Sequence, residues 1–263
     1  MVMKRHKRIA ASATTYILLI IALVWTIFPV YWMIKSSITV NSEMYVARPS
    51  LIAKHYTFEN YVDLFTKTEF PRALLNSLMI AFLTTVCCLL ISILGSYAMT
   101  RLKYPGRRFF KTSIIFSYLI PTAVLFVPMY VFVSKLGFYD NKWALLIIYP
   151  TTVVPYCCYM LMSYFKAIPY ALEEAALIDG CTRMKSLRYI ITPIALPGIA
   201  VVATFAFTMS WNEYLYAMIM TTSPAQQTAV VAISSFKYAD SAIWGRIMAA
   251  SVLTSLPVTI IYI

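Results

Sequence analysis

The chain has 263 residues, of which 61% are hydrophobic and 12% charged, with a formal net charge of +12. A soluble domain carries about a quarter charged residues, so this much apolar surface excludes one water-soluble core and fits a lipid solvent. Lys and Arg fall between apolar runs, and the aromatics lie within or at the ends of those runs, which excludes a nucleic-acid-binding face.

Residues 1–13 form a basic tail containing Lys4, Arg5, Lys7 and Arg8. The first apolar run, 14–34, is too long for a signal peptide and lacks a small-residue cleavage pattern. A stretch at 35–72 then mixes charges with Tyr45, Tyr56, Phe58 and Tyr61. A second run covers 73–99 and is followed by a dense basic turn of Arg101, Lys103, Arg107, Arg108 and Lys111. Third and fourth runs cover 109–133 and 143–164, interrupted by Pro121, Pro128, Pro150 and Pro155, which read as static kinks. After a long connection at 166–192, a fifth run covers 196–220. A further stretch, 221–245, holds Gln226, Gln227, Tyr238 and Trp244, and a sixth run occupies 246–263.

Each run approaches the roughly 20 residues a helix needs to cross a bilayer, and lipid-exposed backbone must satisfy its own hydrogen bonds. The sequence therefore predicts an all-α membrane protein with six transmembrane helices in one permease domain over 14–263. The tail, the 101–111 turn and the 166–192 connection share one side, and their basic density marks that side as cytoplasmic, with the N-terminus inside. The stretches 35–72 and 221–245 are then external, and loops of that length are usually functional. The five cysteines show no metal or disulfide spacing and read as small packing residues.

The 166–192 connection carries the informative pattern. Pro169 suits a helix start, Glu173 and Glu174 suit the positive end of the helix dipole, and Gly180 suits a left-handed stop. Thr182 then caps a second short helix over 183–190 bearing Arg183, Lys185 and Arg188. Ala175 and Ala176 leave a turn that another protein can approach closely, whereas an amphipathic helix on lipid headgroups would not carry this acidic half.

Glu174-Ala175-Ala176, Asp179-Gly180, Ile190 and Pro193 together resemble the EAA loop of ABC-importer permeases, with Thr192 where that pattern has leucine. Asn76-Ser77, Tyr97 to Arg101 with Tyr104-Pro105-Gly106, Pro128, Trp211-Asn212-Glu213 and Trp244-Gly245 extend the resemblance to the carbohydrate, maltose-permease-like branch, over roughly residues 76–257. The resemblance implies a type I ABC importer permease fold and import of a sugar or oligosaccharide by alternating access. It implies a second permease subunit in a heterodimer, two ATP-binding cassette subunits and an external solute-binding protein, all at the lipid bilayer. ATP and magnesium are expected on the partner ATPase and no cofactor on this chain, which has no GxxxxGK[ST] loop and no catalytic motif.

The resemblance places ATPase coupling on Glu173, Glu174, Ala175, Ala176, Asp179, Gly180 and Arg183, with Glu174 as the polar contact and Gly180 turning the chain. Candidates for the solute path are Asn76, Tyr130, Trp211, Asn212 and Glu213, the last being the one carboxylate inside an apolar run. Against that role, Glu213 can pair with a basic residue, and Trp211 can anchor its helix at the interface. Gln226, Gln227, Tyr238 and Trp244 are candidates for contact with the binding protein. A non-sugar solute of the glycerol-phosphate type is the alternative cargo. An ion-coupled secondary transporter fits less well, lacking internal repeats and several mid-membrane charges, and a membrane enzyme lacks its constellation. Members of the resembled family continue past the sixth span with a basic tail, so further residues are expected beyond Ile263.

Overall fold

The computed structural model describes residues 2–46, 48–236 and 244–263, with side chains from residue 14 onward. Its helices, in chain order, are α1 (Val2–Ser37), α2 (Asn41–Met44), α3 (Glu59–Thr66), α4 (Phe70–Arg101), α5 (Arg107–Leu119), α6 (Thr122–Lys135) and α7 (Leu145–Ala167). There follow α8 (Tyr170–Ile178), α9 (Arg183–Ser186), a π-turn at Leu187–Ile191, α10 (Thr192–Ile194), α11 (Leu196–Trp211), α12 (Leu215–Met220), α13 (Ala229–Ser235) and α14 (Trp244–Tyr262). The chain divides into two compact units, 1–68 with 233–257 and 69–232 with 258–263.

Among the described residues, four segments are long and apolar enough to cross a bilayer as single helices: Thr14–Ser37, Phe70–Arg101, Lys142–Ala167 and Trp244–Tyr262. Two more are bent pairs, each overlapping one of the apolar runs read in the sequence. The third run breaks by 99° between α5 and α6. Ile120 there is extended (φ −71, ψ 122), the conformation that a following proline imposes, and Pro121 has no N–H with which to continue the ladder. Pro128, Pro150 and Pro155 stay inside continuous helices. The fifth run, expected over 196–220, is helical only to Trp211, breaks at residues 212–214 and resumes as α12. An 81° bend also precedes it, between 183–194 and α11. The backbone of the basic tail, from Val2 on, continues into the first span as one helix.

In the larger unit, α4 packs against α7 and α11 through Cys88, Tyr97, Val153, Cys157, Leu161, Phe165, Val202 and Ala206. Small residues let these backbones approach closely, as is usual where lipid offers no hydrophobic drive between helices. Ser96 donates across the seam to the Cys158 carbonyl at 3.1 Å. A side chain at Gly198 would overlap the Tyr164 ring, so α11 meets α7 at a position only glycine fits. Cys88, Cys157 and Cys158 are buried packing residues here.

In the smaller unit, residues 35–68 make tertiary contacts of their own. Asn60 on α3 donates to the carbonyls of Ser37 and Thr39 at 3.0 and 3.1 Å, and Tyr61 donates to the Ser37 hydroxyl at 2.8 Å. Arg246 pairs with Asp63 at 3.0 Å, and Gly245 is the only residue type that clears the Asn60 carboxamide.

Candidate functional site

The site is built on the 166–192 connection. Pro169 caps α8 in an extended conformation (φ −58, ψ 135), and after nine helical residues the chain turns at Gly180 with φ +83. The Gly180 N–H donates to Leu177 O at 3.2 Å and the Cys181 N–H to Ala176 O at 2.9 Å, the paired bonds of a Schellman stop. Thr182 then accepts from the Lys185 N–H at 3.3 Å and starts α9, as the sequence predicts. The second helix departs from expectation, running as α only to Ser186 before widening into the π-turn.

The two adjacent glutamates face opposite ways. Glu174 is exposed with Leu172, Ala175 and Ile178, the last 86% exposed. Glu173 is 2% exposed and shares the inward face with Ala176. Its Oε1 accepts from the Tyr97 hydroxyl and from Arg183 Nη1 at 2.9 Å. Arg101 Nε stands 4.0 Å from Oε2. Arg101 also donates to the Phe165 and Ile168 carbonyls, and its guanidinium lies 4.2 Å over the Tyr170 ring. Tyr170 in turn donates to Thr100 O at 2.6 Å. The end of α4 is thus tied to α7, α8 and α9 through one buried carboxylate and one buried guanidinium. Pairing with that carboxylate raises the Arg183 pKa.

Glu173 is in the sequence-predicted set, but the emphasis there falls on Glu174 as the polar contact. A signal for Glu173 exists: it lies three residues before Ala176, on the same helix face, and Arg101 ends the second apolar run.

The structure brings Asn76 and the glutamine pair together. Asn76 is 3% exposed, and its Nδ2 donates to the carbonyls of Ala225 and Gln227 at 3.1 and 3.0 Å. Its Oδ1 accepts from Lys142 Nζ at 2.8 Å, and Gln226 Oε1 accepts from the Lys142 N–H at 3.3 Å. Gln227 donates to Thr222 O at 3.3 Å, and Ser77 accepts from the Ala229 N–H at 2.8 Å. Asn76 thus pins the 221–228 segment to α4. Asn76→Ala leaves two carbonyls without their donor and Lys142 without its acceptor, a cost of about 1–3 kcal/mol. It is expected to speed proteolytic nicking of 221–228 in oriented vesicles. A raised half-saturation for solute with unchanged nicking would return Asn76 to the solute path.

Asp140 clasps the same segment. It accepts from the Ser223 N–H at 2.8 Å and from the Ser223 hydroxyl, and these bonds hold its carboxyl below the usual carboxylate range. A carboxylate with a depressed folded-state pKa stabilises above its unfolded pKa, and that contribution disappears as pH falls through the folded value. The clasp is expected to hold at neutral pH and loosen under acidification below the ordinary Asp range. Asp140→Asn should flatten that acid limb in a melting profile; an unchanged limb would remove the clasp from the account.

The remaining candidates are dispersed. Trp211 is 2% exposed and stacks on Phe207 with ring centroids 5.5 Å apart, so its indole face is covered by the chain itself. Asn212 is exposed at the helix break. Glu213 lies in that break rather than inside a continuous span, and its carboxylate accepts from the Tyr216 and Ala217 N–H groups at 3.0 and 3.1 Å, starting α12. Tyr130 is half-buried, edge-on to Tyr139 at 6.4 Å. In the smaller unit the Trp244 N–H donates to the Tyr45 hydroxyl at 3.2 Å, and Trp244 is partly exposed. Tyr238 lies outside the described residues.

Residues 89–263 match the family described as binding-protein-dependent transport system inner membrane component. The chain is 35% identical over 262 residues to the inner membrane ABC transporter permease protein YcjP of Escherichia coli, covering 99% of this chain and 94% of that one. It is 33% identical to the sulfoquinovosyl glycerol transport system permease protein SmoH of Agrobacterium fabrum, covering 92% and 85%. It is 34% identical to the trehalose/maltose transport system permease protein MalG of Thermococcus litoralis, covering 89% and 84%. Its fold matches a chain in the crystal structure of a bacterial ABC transporter for the acidic polysaccharide alginate, with TM-score 0.83, 21% identity and coverage of 95% and 93%.

Proposed function

Because the chain belongs to the family of binding-protein-dependent transport system inner membrane components, we propose that it forms half of the pathway of an ATP-driven sugar importer. It is a multi-pass membrane protein with the type I importer permease fold. In this reading a second permease completes the pathway, two separate ATPase subunits bind ATP and magnesium, and an external binding protein delivers the solute. The N-terminus and the 166–192 connection face the cytoplasm, in keeping with the basic residues on that side. A sugar or oligosaccharide is the cargo, in line with the transport systems after which the similar permeases are named.

The observation that carries this reading is α8. Its two ends are fixed by Pro169 and the Gly180 stop, its inner face is anchored through Glu173 to α4, and its outer face offers Ala175 and Ile178. A short rigid helix held this way moves with the span it is tied to. It can therefore transmit closure of an ATPase dimer to the pathway, as a two-state element biased from one side. Asn212 and Glu213, at the break between α11 and α12, remain the part of the solute-path set nearest a gap in regular structure, where polar groups become available to a solute.

The test is the reconstituted complex, with its binding protein, across a panel of disaccharides and oligosaccharides. Stimulated ATP hydrolysis with one sugar-loaded binding protein is the expected result. Uptake that follows a proton or sodium gradient and ignores ATP would overturn the importer reading, and stimulation only by a non-sugar solute would overturn the cargo.

A further inference from the structure

A second feature shares residues with the anchor of α8. A cleft of about 920 Å³ opens between the end of α4, the start of α5 and α8. Arg101, Lys103, Arg107 and Arg183 line it against two carboxylates, Glu173 and Glu174. Glu173 is already engaged by Tyr97, Arg183 and Arg101, and Glu174 lines the cleft from an exposed position on α8.

The cations are held in place rather than waving in solvent. Arg107 donates through Nε to Met99 O at 2.8 Å and through Nη2 to Thr100 O at 2.7 Å. Arg101 is 5% exposed, and its Nε faces Glu173 Oε2 at 4.0 Å. Beside the cleft, Lys111 has Lys166 and Arg107 as its charged neighbours, a like-charge group that calls for a counter-anion. Next to these cations stand two aromatics that the chain leaves uncovered, Phe109 at 71% and Phe110 at 55% exposed. A topology signal needs only basic residues in the sequence. It does not need a guanidinium fixed by two carbonyls and adjacent bare aromatic rings.

We infer that this cleft is a binding site for the headgroup of an anionic phospholipid of the cytoplasmic leaflet. The phosphodiester takes guanidinium and ammonium donors, which form charge-assisted hydrogen bonds to phosphate oxygens. The acyl chains lie along Phe109 and Phe110, and the lysines add the attraction of a juxtamembrane basic group. The lipid then bridges α4, α5 and the base of α8, the elements that the coupling movement displaces. The inference rests on the importer reading for its orientation, and lipid retention is scored independently of transport.

The assembled importer is exchanged into nanodiscs of phosphatidylcholine with phosphatidylglycerol, and lipid retained through re-purification is counted by native mass spectrometry. Phosphatidylglycerol is expected to co-purify with the wild-type complex. With K111Q and K166Q together its retention should fall about thirty-fold, at about five-fold per cation near the surface. Phosphatidylcholine carry-over should not change, and K111R with K166R should restore retention. Equal phosphatidylglycerol retention by the glutamine variant overturns the site. Displacement by millimolar inorganic phosphate assigns the cleft to a free anion and also overturns it. Should the glutamine variant fail to assemble, the wild type decides: a photoactivatable phosphatidylglycerol must label residues 104–118, and labelling confined elsewhere rejects the proposal. A complex that retains lipid but imports no sugar would count against the importer reading alone.

Discussion

Glu173→Ala is expected to destabilise the assembled permease by about 3 kcal/mol and to abolish ATP-driven uptake. Breaking a buried charge pair by removing one partner typically costs about 3–5 kcal/mol, because the other charge stays buried without compensation. The lower end applies here, since Arg101 keeps the Phe165 and Ile168 carbonyls and the Tyr170 ring, and its distance to Glu173 is already 4.0 Å. The Tyr97 hydroxyl loses its short bond to the carboxylate but still reaches the Arg183 carbonyl at 3.4 Å, so this loss adds little to the total. The Arg183 pair adds little, because that side chain is 55% exposed and screened by solvent. Glu173→Gln keeps an oxygen for Tyr97 while removing the charge, so it should fall between wild type and alanine. Thermal loss of the assembled complex and uptake into vesicles are the two measurements. A wild-type melting profile for Glu173→Ala would show that the anchor between α8 and α4 contributes nothing.

Ile178→Asp is expected to do the opposite, leaving the permease stable while stripping the ATPase from it. Ile178 is 86% exposed, and substitutions at such surface positions usually change stability by no more than about 0.5 kcal/mol. An apolar anchor in a protein interface is worth about 2 kcal/mol or more when lost, roughly thirty-fold in affinity. Desolvating an aspartate there raises the cost further. Co-purification of the ATPase and its stimulation by the loaded binding protein should both collapse. Gly180→Ala separates backbone from surface: no atom lies within 4 Å of the added carbon, so its effect is the left-handed strain of about 1–2 kcal/mol. Full ATPase retention by Ile178→Asp would remove the exposed face of α8 as the docking surface.

Together these two substitutions distinguish an inner and an outer function for one nine-residue helix. An alanine-rich segment this short has no strong apolar stripe, so Glu173 and Glu174 are equivalent candidates from spacing alone. The facing of α8 is decided by where Tyr97 and Arg101 sit, 76 and 72 positions upstream of Glu173.

The stops and starts were legible for a different reason. Gly180 and Thr182 act through bonds to backbone atoms within five residues, so their roles survive removal of the rest of the protein. The apolar runs were legible because lipid imposes length and composition on any crossing helix. The 99° break at Pro121 was not, since a proline inside an apolar run is compatible with a kink or a full break, and neighbouring helices choose between them. Glu213 was ambiguous in the same way: an intramembrane carboxylate marks a functional group by default, and here its oxygens meet the free N–H groups of the next short helix.

By itself the sequence determined the membrane class, the number and approximate extent of the apolar runs, and the local capping of the 166–192 connection, because each is set by composition or by near neighbours. Tertiary structure alone decided which glutamate turns inward, that Asn76 holds a segment about 150 residues away, and that Trp211 is covered by Phe207. Those outcomes depend on non-local polar and aromatic partners, and in a chain whose helices are apolar on nearly every face no periodic pattern announces them.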